Sequence, residues 1–433
     1  VYKRQTYSEV PVGWLEAFFG WIGHALYSIL PDGLLRSLIV SGIINGVGGV
    51  LGFVPLIMFM FFGIAFLEDS GYLARVAFML DRVFRIFGLH GSSVMAFIVS
   101  GGIAGGCAVP GVMATRTLKS PRERMATLLT VPFMNCGAKL PVFALLIAAF
   151  FASYKAVIMF CITLGAWAGA LLVAKLLRVT VIKGASTPFV MELPPYRMPT
   201  FKGLAIHTWE RTWQYIQKAG TVILGFSILL WAMMTFPMLP EPMVAEFETR
   251  RQSLLDSVPA SVSGDLENTD EGINLSAAAL DLKKQLQDLD HTEAEARLKY
   301  SAAGRIGTAL ESVSQWAGFD WRANIALIGG FAAKEVMVST LGTAFSLGEV
   351  DPEASGSLSE KLAKDPNWSP LMALALIVFT MFYAPCFVAV VCISRESGSW
   401  KWGAFAVFFN TLLAFSLAVL IFQIGSAFGV LVK

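Results

Sequence analysis

The stretch from Gly101 to Leu145, GGIAGGCAVPGVMATRTLKSPRERMATLLTVPFMNCGAKLPVFAL, constrains the fold more than any other part of the chain. It is apolar enough to lie in a bilayer, yet Gly101, Gly102, Gly105, Gly106, Pro110, Pro132, Gly137 and Pro141 interrupt it, and it carries Cys107, Cys136 and Lys139. No water reaches the hydrocarbon to satisfy freed backbone groups, so non-helical backbone persists there only where protein or a wet cavity supplies partners. Glycines and prolines at this density predict broken helices meeting at a site.

The remaining sequence has the same solvent preference. Of 433 residues, 55% are hydrophobic and 15% charged, and the mean hydropathy is +0.64, which excludes a large soluble core and predicts an all-α, polytopic helical membrane protein. Apolar runs of about 20 residues or more, the length that crosses the bilayer, occur eight times: 34–66, 92–115, 125–151, 155–177, 216–236, 323–346, 370–393 and 403–430. Short loops are basic (Arg116, Lys119, Arg122, Arg124; Lys175, Arg178, Lys183), and by the positive-inside rule they read as cytoplasmic. Residues 241–311 hold fourteen acids against seven Lys and Arg. That segment is too long for the rule to place, and an outside position is the weaker expectation. All five cysteines lie in apolar runs, unlike a secreted disulfide framework.

Five regions follow. Residues 1–33 place Trp14, Phe18 and Trp21 at helical spacing, as in an interfacial amphipathic helix. A first membrane repeat occupies 34–180, its opening run broken near Gly48 to Pro55. A proline-rich connector, a second interfacial helix (HTWERTWQYIQKAG) and a span fill 181–236; an acidic extramembrane insertion fills 237–320; a second membrane repeat fills 321–433. The repeats are visible in the letters. GGCAVPGVMAT at 105–115 aligns without gaps on GGFAAKEVMVS at 329–339, and TVPFMNC at 130–136 matches TMFYAPC at 380–386. Two matches in one order argue for an internal repeat. If every run spans, the two copies point the same way; an inverted arrangement would need 125–151 to be re-entrant.

Chemistry concentrates at the breaks. Buried cysteine is commonly an inert small core residue. Cys107, Cys136 and Cys386, however, stand beside prolines at presumed breaks, two of them related by the repeat, and thiolate suits iron(II), copper(I) and zinc(II) over magnesium and calcium. Ligation by thiolate releases protons, so metal binding weakens as pH falls. Lys334-Glu335 lies inside an apolar run, where a charge costs about 2.5 to 3.5 kcal/mol on insertion scales. Either the two form a local neutral pair, or Glu335 is a cation-attracting carboxylate with Lys334 as partner or gate. Glu68 and Asp69 close a span as an entry funnel or a solvated helix end. Asn135 and Asn45 offer carbonyl oxygens, and Met113, Met134 and Met381 thioethers. No HExxH, CxxC or Gly-Lys dipeptide occurs, which removes the common zinc-hydrolase, redox and P-loop motifs.

The stretches LIVSGIINGVGGVLGFVP, GCAVPGVMATRTL, RERMATLLTVPFMNCGAKLPVFALL, AAKEVMVSTLGTAF and FYAPCFVAVVCISRESGSWKWGAF resemble, in order, the membrane domain of the ferrous iron transporter B (FeoB) family. The resemblance implies a transporter rather than an enzyme, moving iron(II) into the bacterial cytoplasm across the inner membrane. It implies GTP and magnesium acting only through an N-terminal G domain absent from this sequence. That domain is expected to have been cut away before Val1, or else to be a separate polypeptide. It further implies membrane lipid, a small accessory iron-transport protein and a homo-oligomer as partners, and no nucleic acid. The family's gate cysteines fall on Cys107, Cys136 and Cys386 (after Pro385), its Glu-Asp on Glu68-Asp69 and its Ala-Lys-Glu on Ala333-Lys334-Glu335. Ala108 departs from the usual Asn, and Lys139 from the usual Arg. A nucleoside or other small-solute carrier and a non-transporting membrane scaffold or sensor are the rival readings.

Overall fold

A computed structural model of the chain describes residues 13–15, 17–23, 25–26, 33–44, 48, 54–102, 106–118, 120–184, 195–256, 277–345 and 356–429. Its secondary structure is helical throughout those residues. Gly105, Asn45 and most of the expected break between Gly48 and Pro55 lie outside them.

After α1 (Val54–Asp69) and the amphipathic α2 (Tyr72–Ile86), the first copy of the repeat begins with α3 (Ser93–Phe97), which continues as a wider turn to Gly102. The chain then breaks and returns as α4 (Ala108–Ala114). At 1.5 Å per residue, Ser93–Gly102 reaches about 15 Å, half of what a crossing needs. The two arms lie side by side: Cys107 N–H donates to the Val99 carbonyl at 3.1 Å, and a Cβ on Gly111 would stand 1.6 Å from Ser100 Oγ. This is a re-entrant hairpin. Next come α5 (Pro121–Thr130) and α6 (Leu140–Phe150), two halves of one apolar crossing broken at Met134–Gly137, and the unbroken α7 (Lys155–Thr180).

A single helix, α8 (Phe201–Thr235), links the copies. The aromatic stretch expected as a separate interfacial helix is its first half, because no proline stands between it and the apolar half and the helix runs on through Gly220. The acidic insertion forms an antiparallel pair, α9 (Glu241–Asp256) and α10 (Ala277–Tyr300), with Arg251 reaching Asp290 and Glu293. It leads through α11 (Ala302–Ser314) to the second copy.

That copy repeats the plan. Helices α12 (Trp321–Ala332) and α13 (Val336–Ala344) form the second hairpin, with Gly329 against Thr340 and Gly330 against Met337. After α14 (Gly356–Lys364), α15 (Pro370–Phe382) and α16 (Phe387–Ser397) make a crossing broken at Tyr383–Cys386, and α17 (Trp400–Ala427) crosses unbroken. The runs 92–115 and 323–346 are therefore hairpins, not spans, and 125–151 is a span, not a hairpin. Apolarity alone cannot separate two short arms from one long crossing.

The copies point in opposite directions. Arg116 and Arg124, after the first hairpin, bind Glu396 at the end of α16, and a Cβ on Gly184 would meet Arg122, so the basic loops share one face. Trp368 donates to Asp320, Arg322 pairs with Asp365 and Glu295, and Gln423 donates to the Trp316 carbonyl, so the second hairpin opens on the other face, beside the insertion. Among the described residues only α8 crosses between the copies, and one crossing inverts the second against the first.

Helices in lipid associate by close packing of small residues more than by hydrophobic expulsion. The final span of each copy shows this. Ala166, Ala170 and Ala174 of α7, and Ala406, Ala414 and Ala418 of α17, are buried in rows four or eight residues apart. Their opposite faces expose Phe160, Leu164 and Leu172, and Phe408, Leu412 and Leu420.

Candidate transport site

The breaks of the two copies converge. Gly101 has φ 129, a conformation L side chains rarely adopt, and a Cβ there would stand 2.3 Å from the Asn135 carbonyl oxygen. Gly137 N–H donates to the Gly106 carbonyl at 2.9 Å, so the first hairpin's tip is bonded to the break of the α5–α6 crossing. Across the copies, Phe133 packs edge-on to Phe382, with ring centroids 5.5 Å apart.

Cys107, Cys136 and Cys386 each occupy the residue just before a helical segment at one of these breaks. Cys107 and Cys386 share one cluster with Val109, Met113, Val388 and Ala389, and Cys136 lies within electrostatic reach of both. The structure thus assembles residues 107, 136 and 386 in one region, although among the described residues no three His, Cys, Asp or Glu side chains close to a metal-holding distance. Orphaned polar atoms surround them. Asn135 Oδ1, Ser100 Oγ, Thr380 Oγ1 and Lys334 Nζ are buried without a hydrogen-bond partner among the described residues. Buried polar groups are nearly always paired; four of the nine unpartnered side-chain atoms among the described residues belong to residues at or beside these breaks.

Lys139 is fully engaged instead: its buried ammonium donates to the carbonyls of Pro132, Met134 and Met381 at 3.2, 3.2 and 2.9 Å, tying the two broken crossings together. Those carbonyls are freed by the breaks, so the lysine satisfies what the prolines and the chain turn leave open. Pro141 opens α6, and Pro385 precedes Cys386 in the second break.

A cavity of about 440 Å³ lies between the first hairpin and the basic face; none of the three cysteines lines it. Glu68, Arg116, Thr117, His207, Glu210 and Arg211 give it polar lining; Val99, Val109, Pro110 and Val388 give it apolar lining, Val109 and Val388 each standing two residues from Cys107 and Cys386. Glu68 lies on the face of the basic loops and is bound by Arg211 at 2.8 Å, while Asp69 is exposed and does not line the cavity. The expected Lys334–Glu335 pair is also absent among the described residues: Lys334 Nζ lies 3.9 Å from the centroid of the Tyr383 ring. Glu335 begins α13 half-buried, within electrostatic reach of Cys107.

Comparison with known proteins agrees with this architecture. A family model described as Gate, nucleoside recognition, matches residues 50–150 and 216–400, and one described as ferrous iron transport protein B C terminus matches 159–211. The chain belongs to the family of FeoB membrane domains. It is 38% identical over 426 residues to an Fe(2+) transport protein A/Fe(2+) transporter FeoB fusion protein of Porphyromonas gingivalis, covering 96% of this chain and 48% of the relative. To Fe(2+) transporter FeoB of Helicobacter pylori (strain 26695) it is 39% identical, covering 94% and 60%, and to that of Methanocaldococcus jannaschii 32% identical, covering 95% and 53%. The chain spans about half to three fifths of the length of these curated relatives. No solved structure matches it.

Sequence reasoning missed Ser100, Thr380, Tyr383 and the Glu396 clamp. Thr380 had a signal, its alignment with Thr130 in the repeat, and Tyr383 another, its place before Ala-Pro-Cys. Glu396 had none, since its partners lie 280 and 272 residues away.

Proposed function

We propose that this chain carries iron(II) across a bacterial cytoplasmic membrane, and that the basic face is the cytoplasmic one. The observation that supports this best is the convergence of Cys107, Cys136 and Cys386 at breaks of two inverted copies, beside the orphaned Asn135 Oδ1. Borderline iron(II) accepts both thiolate and oxygen donors, whereas magnesium and calcium favour oxygen alone. The three cysteines stand too far apart here to hold a metal together, so the bound site forms on a movement of the breaks, with Glu335 balancing charge. Transporters built from inverted repeats work by such rocking about a midplane site.

With the basic loops in the cytoplasm, the 440 Å³ cavity is the exit path. Glu68 and Glu210 then receive the ion after the thiolates release it. A G domain, in the same polypeptide or apart from it, binds GTP and magnesium and acts by contacting one arrangement of the hairpins better than the other. A relative fused to an Fe(2+) transport protein A supports a small accessory partner.

The family model's description as nucleoside recognition favours one second reading, a nucleoside carrier using the same cavity. Uptake into proteoliposomes separates the two. Iron(II) flux that zinc(II) competes with, that a nucleoside leaves alone and that rises with a G domain and GTP is the expected result. Nucleoside flux indifferent to metal would replace this reading, and no flux of either would favour a scaffold.

A further inference from the structure

Two lysines are buried at the convergent breaks, each 2% exposed, and they are treated in opposite ways. An ammonium has three N–H donors. Lys139 spends all three on carbonyls. Lys334 spends none: Nζ has no hydrogen-bond partner among the described residues, and its one close contact is the face of Tyr383. A lysine kept only to fasten helices would be bonded as Lys139 is, because a buried charge without partners is expensive. Lys334 is also the centre of the second hairpin's turn, between extended Ala333 and the start of α13, its carbonyl accepting from Met337 N–H at 3.2 Å. Around its ammonium, within electrostatic reach, are the thiols of Cys386 and Cys136 and the ammonium of Lys139. The ring beneath it is itself anchored, since Tyr383 Oη donates to the Leu327 carbonyl at 3.3 Å and the ring packs on Phe379.

We infer that Lys334 is a tethered counter-cation of the metal site, resting on Tyr383 and moving toward the sulfurs of Cys136 and Cys386 when the transported cation leaves. The inference rests on the proposed thiolate path for iron(II). Its physical content is competition. A thiolate pair without its metal is a buried negative charge, and a nearby ammonium satisfies it; the same ammonium repels an arriving divalent ion. Cation–π contact with Tyr383 supplies a resting place that costs little when the metal is bound. Lys334 therefore holds affinity down so that a thiol-ligated ion can leave. Lys139 cannot serve in this way, because leaving its place would take a donor from three carbonyls, of which Met134 alone keeps another, the Cys136 N–H at 3.0 Å.

The test is cobalt(II) titration of the purified chain, following the thiolate-to-cobalt absorption band, with melting temperature measured in parallel. Removing the charge in Lys334→Met should tighten cobalt(II) binding by roughly tenfold or more, leave the melting temperature unchanged or raised, and slow iron(II) flux. Lys334→Arg, which keeps the charge, should bind as the wild type does. Tyr383→Leu, which removes the resting place, should weaken binding. Equal or weaker binding by Lys334→Met, or a drop in melting temperature that Lys334→Arg restores without change in affinity, would overturn the inference and make Lys334 a packing residue. A wild-type band with no change in Lys334→Met leaves the thiolate path standing and removes only the counter-cation. No band in any variant removes both.

Discussion

The two hairpins descend from one sequence pattern and end in different surroundings. The first, Ser93 to Ala114, opens toward the basic face, where its arms line a cavity of about 440 Å³. The second, Trp321 to Ala344, opens toward the face of the acidic insertion and is covered: Leu298 at the end of α10 is buried against Trp321, Ile325 and Ala344, and Arg322 is held by Glu295 and Asp365. The difference teaches that the repeat supplies the architecture and that the segments outside it decide which side is open. Among the described residues, the first hairpin lines a cavity and the second is covered.

The hairpins differ in tightness too, and this gives the largest predicted effect. A Cβ on Gly106 would meet backbone of Gly101 at 2.2 Å, whereas one on Gly330 would meet only the flexible side chain of Met337. Gly106→Ala is expected to destabilise by about 3 kcal/mol or more and Gly330→Ala by about 1 kcal/mol, read as melting temperature in detergent. Equal losses would erase the contrast. Next, Lys139→Met strands the buried carbonyls of Pro132 and Met381, Met134 keeping the Cys136 N–H, and should cost about 2 kcal/mol, while Lys334→Met should cost nothing; a larger loss at 334 than at 139 would reverse the assignment of the two lysines. Third, the clamps on the two faces can be opened separately. Arg322→Ala should lower stability by roughly 2 kcal/mol, less than a fully buried pair because Glu295 is partly exposed, and should raise labelling of the second hairpin by reagents on the insertion's face. Glu396→Gln should loosen only the basic face. The smallest effect belongs to the exposed Arg250–Glu246 pair within α9, where Glu246→Gln should change stability by less than about 0.5 kcal/mol.

Much of this was legible in the letters, for physical reasons. Membrane helices tolerate glycine and proline poorly without local compensation, so Gly101, Pro110, Pro132, Gly137 and Pro141 mark the breaks of the first copy in the sequence. The repeat was legible because both copies need the same close glycine contacts. Its inversion was not, because arms of 10 or 12 residues joined by a turn have the length and apolarity of one crossing. Nor could the letters show that Glu68 pairs with Arg211 on the face of the basic loops, or that Lys334 turns from Glu335 to Tyr383. Each depends on a neighbour far away in sequence.

The account's central claim is that Cys107 and Cys386 line an iron(II) path reached from the basic face. The direct measurement is labelling of these two cysteines by a membrane-impermeant thiol reagent, applied to either side of oriented vesicles with and without iron(II). Labelling from the basic face that iron(II) blocks and magnesium does not is the predicted result. Labelling only from the insertion's face, or labelling from the basic face that iron(II) leaves unchanged, would contradict it.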